Sequence, residues 1–149
     1  MRLEEELKQG KFQSEHQKAV LNILFTGNWL ESDSSQRLKP FGISLQQFNV
    51  LRILKGQGSN AISVNEIMTR MIDKMSNASR LVEKLRQKDL IERVTNEHDR
   101  RQVDVRITEK GLRLLKEASR TMDTLGEITT KITVKEAKLL SEILEKIRA

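Results

Sequence analysis

One stretch of the sequence, residues 63–111, limits most strongly what this chain can fold into. Between residues 73 and 88, apolar side chains recur at helical spacing, so one face of a helix packs inward. The inward positions are Ala78, Leu81, Val82 and Leu85. The opposite face has no large apolar side chain and instead carries Ser76, Asn77, Arg80, Glu83, Lys84 and Gln87. This division of faces is typical of a helix that enters the major groove of DNA.

The residues before this helix predict a second, shorter helix. Ser63 and Glu66 have the spacing of a capping box, in which each residue bonds to the backbone of the other at a helix start. A turn at residues 72–73 separates the two helices. The pair therefore predicts a helix-turn-helix.

The residues after it predict a β-hairpin. Ile91–Thr95 and Val103–Ile107 read as two strands, the second with strict alternation of apolar and polar residues. The loop between them, residues 96–102, is wholly polar, and residues 61–63 form a very short strand beside the hairpin. We therefore predict a winged helix-turn-helix, in a chain that is mainly α with a small β-hairpin wing.

The rest of the chain is helical. A capping box at Ser44 and Gln47 opens a helix to about Leu54, which has apolar residues almost all round and is buried. A first helix runs from Glu15 towards Leu38, weakened at Gly27 and at residues 32–35. Thr108 caps a long helix after the wing, and Thr133 and Glu136 form a third capping box before the last helix. The apolar residues of the long helix are Leu112, Leu115, Ala118, Met122 and Leu125.

Several of these segments together resemble the MarR family, the multiple-antibiotic-resistance regulators. The likeness is carried by SRLVEKL at 79–85, DLIER at 89–93, DRR at 99–101 and VRITEKG at 105–111, with QQFNVLRIL at 46–54. One departure is Asp89, where the family usually has Gly. Asp is among the few residues that tolerate the left-handed conformation expected there.

This resemblance implies a division of labour along the chain. Residues 44–107 would be the DNA-binding lobe, and residues 1–38 and 112–149 would be terminal dimerisation helices. The residues expected at the dimer contact are Val20, Leu24, Leu140, Ile143, Leu144 and Ile147. The alternative for the stripe of the last helix is packing within the monomer. Family members bind small, often aromatic anions between the lobes, and Trp29 and Met122 are candidates for that effector site. Ordinary core packing is the favoured interpretation of both.

The wing tip carries three charged residues in a row. A tight loop brings Asp99 within reach of Arg100 or Arg101, which predicts an ion pair that stabilises the wing. The other arginine would then be free to enter a narrow, A·T-rich minor groove. The resemblance assigns one of the pair to that groove, and Arg100 is favoured. The alternative is a solvated ion pair of little energetic value.

The distribution of charge favours a nucleic-acid partner. Residues 74–113 hold eleven Lys/Arg and seven Asp/Glu, which gives +4 of the chain's net +6. The chain has four Phe, one Trp and no Tyr, and no Phe lies in this basic segment. Because single-strand and RNA binders stack bases on aromatic side chains, double-stranded DNA is the better partner.

Other classes of protein are disfavoured. With no cysteine, the chain forms no disulfide, thiolate metal site or thiol-based redox sensor. His16 and His98 are the only histidines, too few for a zinc cluster, and His98 beside Asp99 has no nucleophile. We therefore predict no enzyme activity, cofactor or metal. No long apolar run or signal peptide is evident, so a cytoplasmic protein without membrane contact is expected.

The sequence thus predicts a homodimeric transcription factor that reads a pseudo-palindromic operator with Ser76, Asn77, Arg80 and Lys84, aided by Arg100 and Arg101. We expect a repressor released from DNA by a small aromatic or anionic ligand. A winged helix used only as a protein-interaction module, without sequence-specific DNA binding, is the alternative.

Overall fold

The computed structural model describes residues 1–122 and 131–149, which form helices around a small antiparallel sheet. The helices in this part of the chain are α1 (Leu3–Glu6), α2 (Glu15–Leu38), α3 (Leu45–Gly56), α4 (Val64–Arg70), α5 (Ala78–Gln87), α6 (Glu109–Met122) and α7 (Val134–Arg148). The strands are β1 (Ile62–Ser63), β2 (Ile91–Thr95) and β3 (Val103–Ile107). The predicted fold class, mainly α with a hairpin wing, is confirmed.

The sheet is the wing and its short extension. Its strand order is β1-β3-β2, and both pairings are antiparallel. Val105 lies at the centre, opposite Arg93 on β2 and Ile62 on β1, and it is fully buried. All three predicted strands are therefore confirmed, including the very short one.

Three helix starts follow the predicted capping boxes. The Ser44 hydroxyl accepts from the Gln47 amide at 3.1 Å, and the Ser63 hydroxyl accepts from the Glu66 amide at 3.2 Å. The Thr133 hydroxyl accepts from the Glu136 amide at 3.3 Å. In each case the N3 side chain bonds back to the N-cap amide. Each box satisfies backbone donors that a helix start leaves unpaired.

Two predicted helix boundaries are wrong. The helix predicted at residues 73–88, which we expect from its sequence to read the major groove and call the reading helix, begins at Ala78 and not near residue 73. Residues 71–77 form an extended turn instead. The first long helix is not weakened at Gly27 or at residues 32–35 but runs unbroken for 24 residues. An ion pair of 2.7 Å between Asp33 and Arg37, one turn apart, supports its polar stretch.

A compact joint connects the end of α5 to β2 and α6. Asp89 has φ +57°, the left-handed conformation anticipated from the sequence. The Thr108 hydroxyl donates to the Asp89 carbonyl at 2.7 Å and accepts from the Gly111 amide at 3.0 Å. A Cβ atom on Gly111 would lie only 2.1 Å from the Leu90 carbonyl oxygen, so this position requires glycine.

The hydrophobic core lies mostly in the lobe formed by α3 to β3, with α6 packed against it. The fully buried side chains there include Leu51, Leu54, Ile67, Leu85 and Leu115. As predicted, α3 is largely enclosed. At the N-terminus, α1 is a separate short helix whose Leu3 is buried and whose Glu4 pairs with Lys18 of α2.

Predictions for residues 123–130, including Leu125, lie outside the described residues. None of the helices in residues 1–122 and 131–149 has both the length and the apolar character that a membrane span requires.

Candidate nucleic-acid interface

Helix α5 is fixed by its inner face and presents its outer face to solvent. Ala78, Val82 and Leu85 are buried, and the helix lies against α3, α4 and β2. Arg80 and Lys84 are exposed on the other side, as the helical spacing predicted. The lobe therefore holds these two cations on a rigid element, at a surface open to a ligand.

The turn before α5 changes the roles expected of Ser76 and Asn77. Ser76 is in the turn, and its hydroxyl donates to an Asp73 carboxylate oxygen at 2.9 Å. Asn77 is the N-cap, because its side-chain oxygen accepts from the Arg80 amide at 3.0 Å. Only the amide NH₂ of Asn77 is left to donate to another molecule. Both residues lie at the end of α5 that contacts base edges in helix-turn-helix proteins.

Glu83 connects the outer face of α5 to the wing. Its carboxylate accepts from Arg86 at 2.7 Å and from Arg93 of β2 at 2.9 Å. The hydrogen bond from Arg86, with the positive charges of Arg86 and Arg93, lowers the pKa of Glu83 below its ordinary value. Glu83 is therefore ionised at neutral pH and holds one arginine on α5 itself, Arg86, and one on the neighbouring strand, Arg93.

The wing tip is held by side-chain bonds to its own backbone. The Asn96 side-chain oxygen accepts from the amides of His98 at 2.8 Å and Asp99 at 2.9 Å. The Asp99 carboxylate accepts from the Arg101 amide at 2.9 Å. The predicted ion pair between Asp99 and an arginine is wrong: in the described residues, Asp99 bonds to the Arg101 backbone and to neither guanidinium. Asp99 still shapes the loop, as expected, but through an amide.

The cations of this surface fall into two groups. Arg86, Arg93 and Arg106 are held in ion pairs with Glu83 or Glu92. The second group is exposed and has no ion pair within the described part of the chain; it consists of Arg80, Lys84, Arg100 and Arg101. The cations left uncompensated are thus the ones at the reading helix and the wing tip. Backbone phosphates are the anions that such an arrangement fits.

The candidate effector residues line separate cavities. Met122 is buried and borders a space of about 400 Å³ with Phe48, Arg52, Lys55, Leu115 and Ser119. Trp29 borders a smaller space of about 120 Å³ near the N-terminus. Core packing accounts for Met122, but for Trp29 it is wrong, because that side chain is 43% exposed.

The apolar stripes assigned to dimerisation lie at the surface of this chain. Val20 and Leu24 of α2 are exposed, and Leu144 of α7 is half-buried. The other three residues of the α7 stripe, Leu140, Ile143 and Ile147, are also exposed. Their role in a dimer stays a prediction.

His98 is an exposed wing residue, as expected. In residues 1–122 and 131–149, no three His, Cys, Asp or Glu side chains are grouped so that they could hold a metal ion.

Sequence reasoning missed three features of this surface. It overlooked Asn96 as the residue that organises the wing tip, although an Asn directly after a strand is a typical start of a side-chain-stabilised turn. It placed Glu83 only on the outer face and did not foresee the bridge to Arg93, which depends on how the wing folds back. It also gave no role to Ile72 and Met75 in the exposed turn before α5.

Comparison with known proteins agrees with this arrangement. A model of the MarR family matches residues 41–102, from just before α3 to the end of the wing loop. The transcriptional repressor MdtR of Bacillus subtilis (strain 168) is 34% identical over 82 residues, 55% of this chain and 52% of that protein. The transcriptional repressor MprA of Escherichia coli (strain K12) is 27% identical over 119 residues, 79% of this chain and 68% of that protein. The matches thus span about half of the length of MdtR and about two thirds of MprA.

The fold has a close counterpart among solved structures. A mutant of MarR from E. coli, complexed with operator DNA, superposes with a TM-score of 0.77. The two chains are 22% identical, and the match covers 93% of this chain and 99% of the other. Residues 41–102 of the chain thus match the MarR family, and the chain as a whole has the fold of a MarR-type winged-helix protein.

Proposed function

We propose that this protein is a cytoplasmic, sequence-specific DNA-binding repressor that binds a pseudo-palindromic operator as a homodimer. The observation that carries the proposal is the position of four exposed cations on α5 and the wing tip, none of which has an ion pair within the described residues. Arg80 and Lys84 stand on the outer face of α5, and Arg100 and Arg101 stand at the wing tip. Two similar proteins, MdtR and MprA, are named as transcriptional repressors, which supports the direction of regulation.

Each cation has its own task in this proposal. The Arg80 guanidinium projects from the first turn of α5 and can pair with both acceptors of a guanine in the major groove. Lys84, one turn later, contacts a phosphate. Arg100 enters the minor groove and responds to its width and potential, and Arg101 neutralises phosphate charge beside it.

A dimer follows from the size of the reading element. One α5 contacts only a few base pairs, so specificity requires two copies about 34 Å apart on one side of the duplex. The exposed apolar residues of α2 and α7 supply the surface that joins the copies.

Release by a ligand would use the cavity beside Met122. Arg52 and Lys55 border it, so an organic anion with a small aromatic ring fits both its charge and its apolar wall. Such a ligand releases DNA only if it binds more tightly to a dimer whose two α5 helices are wrongly spaced. Salicylate is a suitable probe, and weaker operator binding in its presence is the expected result.

The test compares the DNA affinities of three single alanine variants for an operator, obtained by selection from random duplexes, and for a scrambled duplex. Arg80→Ala should lower operator affinity by about 1–3 kcal/mol and flatten discrimination at one or two positions per half-site. Arg100→Ala should weaken binding most where the flanks are A·T-rich, and it should reduce the salt dependence of affinity.

Arg106→Ala is the matched control, because it removes an exposed arginine of the hairpin that Glu92 already holds at 2.6 Å. Its effect on the operator should be small. If Arg80→Ala leaves the ratio of operator to scrambled affinity unchanged, α5 is not the reading element. Equal binding of both duplexes by the wild type would point to a protein-interaction module.

A further inference from the structure

The turn between α4 and α5 exposes two large apolar side chains. Ile72 is 85% exposed and Met75 is 92% exposed, the highest values for large apolar side chains in the described residues 44–111. We call residues 72–75 the apolar turn. Burial of these side chains contributes almost nothing to the free energy of folding of the isolated chain. Stability of the fold therefore does not explain why two large apolar residues occur here.

The backbone of the apolar turn is fixed on both sides. The Ile72 amide donates to the side-chain oxygen of Asn49 in α3 at 2.9 Å. The Met75 amide donates to an Asp73 carboxylate oxygen at 2.9 Å. The two side chains therefore leave the surface from a defined backbone.

The charged residues of the turn are used internally. The second carboxylate oxygen of Asp73 accepts from the Ser76 hydroxyl, and the Lys74 ammonium donates to the Thr69 carbonyl. Ile72 and Met75 thus stand out from a turn whose ionic groups are already bonded. What the turn offers to a partner is apolar.

The apolar turn is continuous with the proposed DNA-binding face. It leads directly into the N-cap Asn77, and Arg80 follows within the first turn of α5. The N-terminal residues of a recognition helix are those that reach base edges. Among base edges in the major groove, the C5-methyl group of thymine is the apolar one.

We propose that Met75 is a specificity-determining residue that contacts a thymine methyl group in each half-site, with Ile72 covering the same contact from the side. The proposal rests on the proposed DNA-binding function. Met75 has the longer and more flexible side chain of the two, which can adapt its conformation to contact a methyl group in the groove. Burying one methyl group against it should change affinity by about three- to tenfold.

The test is a cycle between the side chain and the methyl group, using the full-length protein and the operator obtained by selection from random duplexes. Each thymine is replaced in turn by deoxyuracil, which pairs identically but lacks the methyl group. For the wild type, affinity should fall about three- to tenfold at one thymine per half-site. Met75→Ala should bind the thymine operator with a similar loss and should be indifferent to uracil at that position.

Met68→Ala is the matched control, because Met68 lies on α4 and is 44% exposed outside the apolar turn. It should keep both the affinity and the sensitivity to uracil. Additive effects of Met75→Ala and uracil, or no thymine sensitive to uracil, would overturn the inference. In that case the turn serves another partner, such as a protein.

The two proposals fail in different ways. If Arg80→Ala still flattens discrimination while no uracil substitution matters, the DNA-binding function stands and the methyl contact does not. If the wild type selects no operator, both fall together.

Discussion

The winged-helix lobe and the terminal helices differ in how far they bury their apolar side chains. In the lobe, Leu51, Leu54, Ile67 and Leu85 are fully enclosed. Helix α7 has no buried residue, although its apolar side chains also recur at helical spacing. The lobe buries its own hydrophobic core within one chain, whereas the apolar face of α7 is not covered by any of the described residues. Regular amphipathic spacing thus shows that a face exists, and only the surrounding structure shows whether the chain itself buries it.

The strongest test of the closed lobe is Gly111→Ala. The new Cβ atom would lie 2.1 Å from the Leu90 carbonyl oxygen and 2.8 Å from the Ile107 side chain. We expect a loss of about 3 kcal/mol in the free energy of unfolding, measured by urea denaturation, because backbone must move to admit the methyl group.

Gly27→Ala is the matched control in a terminal helix. A Cβ atom at Gly27 meets nothing within 4 Å, so alanine should stabilise α2 by up to about 1 kcal/mol. Equal and small effects at both glycines would show that the α5–α6 joint is not tightly packed.

The next test concerns the open face of α7. Leu140→Glu combined with Ile147→Glu should convert the proposed dimer into a monomer at micromolar concentration in sedimentation experiments. Operator affinity should fall by roughly a hundredfold, because one reading helix contacts only half of the site. The circular dichroism of the lobe should persist. Ser141→Glu, on an exposed polar position of the same helix, should remain dimeric; a variant pair that still sediments as a dimer would remove α7 from the interface.

A smaller effect is expected at Asp89, the non-glycine residue at the joint with φ +57°. Asp89→Ala should lower the free energy of unfolding by about 1 kcal/mol, because Ala tolerates the left-handed conformation less well. Asp89→Gly should be neutral or stabilising by up to about 0.5 kcal/mol, because relief of strain is partly offset by a more flexible unfolded chain. Thermal denaturation of the three proteins provides the comparison. A more stable alanine variant would contradict the assigned conformation.

The smallest effect is expected at Glu83, whose pKa the hydrogen bond from Arg86 lowers from its ordinary value of 4.5. A carboxyl with a lowered pKa in the folded state contributes stability above its unfolded pKa, and the contribution disappears as the pH falls through the folded value. Glu83→Gln should therefore lower Tm slightly at neutral pH, and this small difference should disappear in acid as the carboxyl becomes protonated, because exposed pairs contribute little. A Tm difference that persists in acid would mean that the side chain acts by packing.

Local signals made much of this fold predictable. Capping boxes, whose hydrogen bonds span only three residues, mark the helix starts at Ser44, Ser63 and Thr133. The strand bounds follow from the alternation of apolar and polar residues. The start of α5 was misplaced because Asp73 and Ser76 imitate a helix start; the Asp73 carboxylate instead closes the apolar turn, and Asn77 caps the helix.

The site was less predictable where it depends on contacts between distant segments. Helical spacing was enough to place Arg80 and Lys84 outside. The bridge from Glu83 to Arg93 joins residues of different elements, and no periodicity encodes it. The separation of Trp29 from the Met122 cavity likewise follows from how α2, α3 and α6 pack. The roles of these residues in binding DNA or a ligand stay predictions.

The joint at Thr108 and Gly111 couples a tilt of α6 to a movement of the residues that follow α5. The Thr108 amide donates to the Leu90 carbonyl at 3.1 Å, and Lys110 donates to the Lys88 carbonyl at 3.0 Å, so the first turn of α6 is tied to the residues that follow α5. The helix has 14 residues, which makes the arm roughly 21 Å long. A tilt of about 10° at the joint moves its far end by roughly 4 Å, less than one helical turn. A bound molecule of a few ångströms beside Met122, at the far end of α6, is therefore large enough to tilt α6 about this joint.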